Sequence, residues 1–590
     1  MQDFKDFAVF GKYRYYDLKY TLKGFNASDC KRHFAFIQRH KDRLFFIGFI
    51  AYPFYKYLQD ETHTSKNPYF LFYGFKKREI FKAQNISSDF FMPEIVKPLN
   101  KAQYKADFIK VKNAIKKGQS YQVNLTQEII FKSKLSGFAL FNLLSKRQNT
   151  AFKAYIKSQN CEILSFSPEL FFKTNKRQIT TMPMKGTIKR GKSKQKDTQN
   201  KAFLKSDIKN ISENVMIVDL LRNDLSKIIR KNTMKTSLFK IKSYPTLHQM
   251  ISTIKGDLKG NAQFYDIFQA LFPCGSITGA PKIETIDLIS HLEQRDRGIY
   301  CGSIGLIHKN KSKFSVAIRT LCKKGQLCTY GVGSGLVWDS NAKDEFKELQ
   351  LKSKILEPKD FYLFETMLFK NGRILFFKEH IERLLESALK LSFNIKKLRK
   401  DFSDILNAPF YYGDFSGLNL FEIDDEIFHA ENSLFIPAPF DFAYKSGILK
   451  LILYKNGDYK ITQDSIKGSK SDILLLSDKR LDSTQDNLAY KSSLRGIYDE
   501  VSIKWKNNLC YDIAFLNERG EICEGSRSNI IIKKGDEFFT PRLKSGLLNG
   551  IYRQFLLRQK AIKESVIFKE DLREVFCINS VRGLKRVRLQ

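Results

Sequence analysis

The sequence predicts an α+β chain of two enzyme-sized units, and three observations carry that prediction. Its 590 residues exceed what a single core organises. Strand-like apolar runs are interspersed with segments whose apolar residues recur at helical spacing. A short proline-containing stretch, EPKDF (357–361), interrupts the pattern, and the strand-like run FYLFETMLFKNGRILFF restarts from it. The first unit is placed at 1–357, with its core at about 104–356, and the second at 358–590. The sequence shows no internal repeat.

The elements follow in order. In the first hundred residues AVFGKYRYY, RLFFIGFIAY and YFLFYGF read as strands of a β-rich lead-in. Tyr104, Phe108, Val111 and Ile115 then recur at helical spacing, with Gly118 as the stop. SYQVNLTQEIIF, CEILSFSPELFF and GLIHKN read as further strands. Ser212 is placed to cap a helix through ENVMIVDLLRNDLSKI, and Ser340 one through NAKDEFKELQLKSKIL. Two runs around Asn371 and Gly372 predict a hairpin.

Composition bounds the function. Hydrophobic residues make up 43% and charged residues 28%, a globular balance. No apolar run reaches spanning length, and the N-terminus lacks an uninterrupted signal-peptide core, so a soluble cytoplasmic protein without membrane contact is expected. The nine cysteines are scattered without CxxC spacing, which indicates neither a disulfide framework nor a zinc site. The formal charge of +39 has nucleic-acid binding as one reading. The lysines are spread along the whole chain instead, which favours compositional bias and no nucleic-acid partner. A positive field still suits small anionic substrates.

Several polar groups then call for an account. Glu345, Glu348 and Lys352 are three and four apart and share a helix face; alone they are an exposed ion-pair stripe. Glu213 opens another helix, where the dipole also suits a carboxylate. Carboxylates from two helices could hold one Mg²⁺. FPCGSITGAPK (272–282) offers the Ser276 hydroxyl and backbone amides to an anion, and YGVGSG (330–335) is a second glycine turn; each is weak alone.

Taken in order, SYQVNLTQ, SFSPELFF, PMKGT, ENVMIVDLLRNDL, YPTLHQMIS, FPCGSITGAPK, RGIYCGSIG, FSVAIRT and the ExxExxxK helix resemble the chorismate-utilising enzymes. That family includes anthranilate, isochorismate and salicylate synthases and aminodeoxychorismate synthase component I. The resemblance implies an anthranilate synthase component I-like β-sandwich with surrounding helices. It implies Mg²⁺ held by Glu213 and Glu348, with Glu345 nearby, and Tyr300 and Arg319 gripping a substrate carboxylate. Amides around Ser276, Gly333 and Gly335, with Lys352, would complete the anion pocket. His248 and Glu169 would face the ring, Glu169 as general acid for the departing C4 hydroxyl.

Two positions sort the members. Gln122 stands where water-adding members carry a lysine base, which disfavours isochorismate and salicylate formation. Lys185 stands where anthranilate synthases usually carry alanine, and the chain here looks like the aminodeoxychorismate synthase component I subgroup. In that subgroup the lysine amine attacks C2, and ammonia then enters at C4. Met184 for isoleucine and Asn210 for an acid are departures, and the short lead-in assigns no tryptophan site. No glutamine amidotransferase nucleophile is visible, so a separate glutaminase subunit is the implied partner.

In the second unit HIERL (380–384), DNLAYKSS (486–493), GEICEGSRSNI (520–530), GLLNGIYRQ (546–554) and CINSVRG (577–583) are each ordinary alone. In order they resemble the fold-type IV pyridoxal 5'-phosphate enzymes, with 400–470 poorly matched. These include branched-chain and D-amino acid aminotransferases and aminodeoxychorismate lyase. The resemblance implies that Lys491 carries the cofactor and shuttles protons while Glu524 pairs with its pyridinium nitrogen. Arg383 and amides near Asn549, Gly550 and Ile551 would hold the phosphate, with Asn579 and Ser580 close by. A homodimer follows only by analogy.

Chain logic favours the lyase, because the first unit's implied product, 4-amino-4-deoxychorismate, is the lyase's substrate. The pair would make 4-aminobenzoate and pyruvate on the route to folate. Two alternatives stay open: anthranilate synthase component I fused to an aminotransferase-like domain, and a basic nucleic-acid-binding protein with a degenerate enzyme core.

Overall fold

The computed structural model describes all residues except 1–5, 83–92, 159–160, 192, 244–246, 261, 358–360, 409–414, 416, 430–433 and 467. The chain divides into two compact units, one ending at Glu357 and the other reaching Gln590. Residues 358–360 of EPKDF and 244–246 of YPTLHQMIS lie outside the described residues.

The first unit is an antiparallel network of 18 strands among the described residues, with helices packed on it. Its main core is built from aromatic rings. Phe172 and Phe268 pack against Phe314 with ring centroids 4.9 and 5.1 Å apart, and Phe34, Phe54 and Phe72 extend the cluster. Each fully buried ring contributes about 1.5–3 kcal/mol by leaving water.

The helix expected from Tyr104 onward spans Lys101–Lys116 and buries Tyr104, Phe108, Val111 and Ile115. Gly118 follows it at φ 72, the left-handed conformation that ends a helix cheaply. The strand after it is Gln122–Lys132. The lead-in differs from its strand-only reading, because Ala27–His40 is a helix whose N-cap Asn26 accepts from Asp29 N at 2.8 Å. Its buried positions Ala27, Cys30, Phe34 and Ile37 have helical spacing, but aromatic strands flank it on both sides.

Both expected caps move. The Glu213 helix spans Ile208–Ser226 and starts one turn before Ser212, with Asp207 accepting from Asn210 N at 3.1 Å. The last helix of the unit, Ala342–Ser353, is capped by Asn341, which accepts from Asp344 N at 3.0 Å. Ser340 Oγ instead accepts from Val337 N at 3.2 Å and donates to Glu345 at 2.7 Å.

Among the described residues the second unit holds a five-stranded antiparallel sheet centred on Tyr362–Lys370 and an eight-stranded mixed sheet. The expected hairpin is present, with Lys370 opposite Arg373. Asn371 and Gly372 take φ 45 and 75, the double positive φ of a type I′ turn. An apolar cluster including Phe376, Ile531, Phe555 and Phe576 fills this unit. The Lys491 segment runs along the start of the central strand: Phe364 N donates to Lys491 O at 3.0 Å and Ser493 N to Tyr362 O at 2.8 Å. No helix among the described residues is long and apolar enough to cross a membrane.

Candidate active sites

Lys185 lies on the strand Met184–Lys189, opposite Met250, and the register slips between Lys185 and Thr187. Gly186 occupies the slip at φ 70, where a Cβ would stand 2.8 Å from Asn210 Cγ and 2.9 Å from Leu204 Cδ1. Only glycine meets both constraints, and a bulge re-aims the side chain beside it. The Lys185 amine ends 3.7 Å from the point a Cβ on Gly335 would take, and Gln122 Nε2 is 2.7 Å from the same point. Gln122 is fully buried, yet neither amide atom has a protein partner.

Glu169 belongs to the same neighbourhood. It is buried and accepts from Ser276 Oγ at 2.8 Å. Burial pushes its pKa up, against the Ser276 hydrogen bond and the nearby Lys185 and Lys352 charges. A carboxyl whose pKa is raised by burial suits a general acid. The Lys352 amine donates to Gly333 O at 2.7 Å and pairs with Glu348 at 2.7 Å. The Tyr300 ring lies over Gly331, where a Cβ would meet its Cγ at 2.3 Å. Tyr330 OH donates to Lys352 O at 3.1 Å, and Arg319 acts on Tyr330 electrostatically. With the Gln148 amide turned to present its carbonyl, Arg319 Nε donates to it at 3.2 Å.

Two groups of expected site residues meet partners that the sequence did not indicate. His248 is fully buried, with Nε2 on Asp197 at 2.9 Å and Nδ1 on Ser243 Oγ at 2.9 Å. Both ring nitrogens therefore have protein partners. Glu213, Glu345 and Glu348 do not gather as one set, since no group of three or more metal-ligating side chains occurs among the described residues. Glu345 is turned to Ser340, and Glu348 is paired with Lys352. Glu213 is half-buried on its own helix. Carboxylates on two helices remain the right donor chemistry for Mg²⁺, which takes one or two of them and completes its shell with substrate and water.

The second unit encloses a cavity of ≈ 340 Å³ lined by Lys491, Arg383, Glu524, Gly550, Ile551 and Ser580, among others. Burial pushes the Lys491 amine down to about 8; Glu365 opposes this, while Arg383, Arg495 and Lys450 add to it. Burial also lifts Glu524 to about 7, against a 2.7 Å bond from Tyr498 OH, the Arg495 charge and a 3.1 Å bond from Leu548 N.

Glu365 escaped the sequence reading. It is buried on the central strand and receives Arg383 Nε and Nη2 and His380 Nδ1. Burial opposes its charge, but Arg383 and then His380 outweigh that and hold it well below the usual carboxylate range. Burial drives His380 down to about 4, and its Nε2 meets Ser580 Oγ at 3.1 Å. The available signal was a lone acid inside the apolar run FYLFETMLF.

Gly550 caps the helix Ile551–Arg558, and a Cβ on it would come within 2.1 Å of Asn529 Oδ1. A glycine cradle, a helix N-terminus and Arg383 together suit a phosphate. Asn549 stands behind this wall: its carbonyl accepts from Arg383 Nη1 at 2.9 Å and its Oδ1 from Arg553 Nη1 at 2.8 Å. Asn579 accepts from Val581 N and Arg582 N at 3.0 and 2.9 Å, which shapes the turn beside Ser580. A lysine of lowered pKa, a buried carboxylate and a phosphate cradle on one cavity fit pyridoxal 5'-phosphate.

Residues 78–358 match the chorismate binding enzyme family, and residues 362–409 and 459–589 match amino-transferase class IV. Aminodeoxychorismate synthase component 1 of Salmonella typhimurium is 36% identical over 265 residues, 44% of this chain and 58% of that protein. The Escherichia coli protein of the same name is 35% identical over 254 residues, 42% of this chain and 56% of its own. The chain thus spans little more than half the length of these curated relatives. The crystal structure of anthranilate synthase component I from Streptococcus pneumoniae superposes with TM-score 0.51 at 20% identity, covering 60% of this chain and 93% of that one. That likeness establishes the fold of the first unit.

Proposed function

The chain joins a chorismate binding enzyme unit to a class IV amino-transferase unit, and from that premise we propose that it makes 4-aminobenzoate from chorismate in two steps. The observation that carries the reading is the meeting of Lys185 and Gln122 at Gly335, in a neighbourhood shared with the buried acid Glu169. Resemblance to aminodeoxychorismate synthase component 1 over this unit supports it.

In the first step Glu169 donates its proton to the C4 hydroxyl, which leaves as water. The Lys185 amine forms a bond to C2 as the C4–O bond breaks. Ammonia then bonds to C4 and the C2–N bond breaks, which frees Lys185. Gln122, a neutral amide, cannot deprotonate water for attack at C2 and instead offers both amide atoms to the substrate. Tyr300, Arg319, Lys352 and the amides near Ser276, Gly333 and Gly335 would hold the carboxylates. Glu213 and Glu348 would hold Mg²⁺, which supplies charge neutralisation at the ring carboxylate. Ammonia comes from a separate glutamine amidotransferase subunit.

In the second step Lys491, Glu524, Arg383 and the amides of Gly550 and Ile551 would hold pyridoxal phosphate. The bound cofactor supplies an electron sink. The Lys491 amine removes the C4 proton, and the C3–O bond breaks. Enolpyruvate leaves and becomes pyruvate on protonation, while the ring becomes aromatic.

The test supplies the purified chain with chorismate, Mg²⁺, ammonium and pyridoxal phosphate and follows products by chromatography. Equal amounts of 4-aminobenzoate and pyruvate are expected. Anthranilate, or no amine product at all, would sink the reading.

A further inference from the structure

Apart from Asp499 and Glu524, every charged side chain among the described residues on the wall of the second unit's cavity is cationic. These cations differ in what holds them. Arg383 is paired with Glu365, and Arg553 with Glu564. Arg495 and Arg527 form no ion pair among the described residues, although the Arg495 charge also acts on Glu524; each is held by a main-chain carbonyl and by aromatic contact. Arg495 Nη2 donates to Ser526 O at 2.5 Å, and its guanidinium lies 4.4 Å from the Tyr498 ring centroid. Arg527 Nη2 donates to Tyr511 O, and its guanidinium lies 4.5 Å from the Trp505 centroid and 4.9 Å from that of Tyr511.

The backbone beneath them is fixed. Ser526 Oγ and Ser528 Oγ both donate to the fully buried Asp512 carboxylate at 2.5 Å, and Arg527 N donates to it at 3.3 Å. Asp512 therefore anchors the turn that carries Arg527 and presents the Ser526 carbonyl to Arg495. Stacking holds each guanidinium plane, and most of its N–H groups remain unspent. Arg383 and the Ile551–Arg558 helix N-terminus already suffice for a phosphate. Two further rigid arginines that form no ion pair among the described residues suit an anion of their own.

We infer that Arg495 and Arg527 form the carboxylate-recognition wall of this cavity and select a substrate carrying two carboxylates over amines carrying one. A dicarboxylate neutralises both arginines, whereas a simple amino acid leaves one of them uncompensated when the cavity fills. The identity of that dicarboxylate as 4-amino-4-deoxychorismate rests on the lyase reading; the anion site itself does not.

The test uses the full chain loaded with pyridoxal phosphate, whose absorbance reports on this cavity alone. The probe is isophthalate, a rigid dicarboxylate without an amine, with benzoate as the single-carboxylate control. Isophthalate is expected to shift the spectrum saturably and to bind at least tenfold more tightly than benzoate. Arg527→Gln and Arg495→Gln should each weaken isophthalate at least tenfold while cofactor affinity stays within twofold. Arg527→Lys should fall between, because an ammonium keeps the charge and loses the planar fork. Where a glutamine variant loses the cofactor, Arg527→Lys is read in its place. Unchanged isophthalate affinity in these variants, or no preference over benzoate in the wild type, overturns the inference. Absence of pyruvate release from 4-amino-4-deoxychorismate by the wild type defeats the lyase reading separately, and the isophthalate titration still decides the anion site.

Discussion

Glu365 grips Arg383 through both Nε and Nη2, at 2.9 and 2.6 Å, and the same carboxylate takes His380 Nδ1 at 2.7 Å. One buried acid therefore orients an arginine of the phosphate cradle and a histidine whose other nitrogen reaches Ser580.

Glu365→Gln should loosen both partners at once. Breaking a buried pair from one side costs about 3–5 kcal/mol. The expected result is a lower denaturant midpoint for the second unit and at least tenfold weaker pyridoxal phosphate binding. Denaturant titration and cofactor titration read the two effects independently.

The same network predicts acid sensitivity. Burial holds His380 at about 4, below its ordinary 6.5, so the unfolded chain takes up this proton first. Stability from this source is complete above about 6.5 and falls as pH drops toward about 4. The depressed Glu365 adds a loss in the same direction at lower pH. Denaturant midpoints of the second unit measured between these limits should decline with acid, and His380→Gln should flatten the curve.

Lys185→Ala separates the two proposed reactions. Amination of chorismate should fall at least a hundredfold, because a methyl group cannot bond to C2. Pyruvate release from supplied 4-amino-4-deoxychorismate should stay at the wild-type rate. Unchanged amination would return Lys185 to a bystander.

Glu169→Gln should lower amination by about 10²–10⁴, the usual worth of a positioned proton donor. Burial raises the Glu169 pKa, so its protonated form persists above the ordinary glutamate range and is lost as pH rises through the raised value. At fixed free ammonia the wild-type rate should therefore fall on the basic side. The glutamine variant should lack that limb.

Gly186→Ala adds a methyl group at φ 70 against Asn210 and Leu204. A loss of about 1–3 kcal/mol is expected from the backbone strain and the forced contact. Amination should drop more than stability alone explains, because the bulge aims Lys185. Thermal unfolding and steady-state rates at one low temperature distinguish the two.

Local chemistry made much of this legible. The Tyr104 helix, the Asn371–Gly372 hairpin and the strand bearing Gln122 follow from period and turn residues. What escaped depends on partners far along the chain. His248 is claimed by Asp197, 51 residues away, and Glu365 is defined by Arg383 and His380 on a following helix. Ser340 lost its capping role because the adjacent Asn341 took it and Glu345 offered a better acceptor. Such competition between neighbours has no periodicity to read. The Arg495 and Arg527 pair was hidden for a related reason: in a chain with 101 lysines and arginines, what marks them out is that they form no ion pair among the described residues.

Gln122 has a consequence for the resting protein. Both ends of its amide are sealed from solvent with no protein group to satisfy them, a defect that costs about 1–3 kcal/mol for each atom. A molecule that meets both atoms adds stability on binding, so the melting temperature of this unit becomes a reporter of which small molecule belongs there.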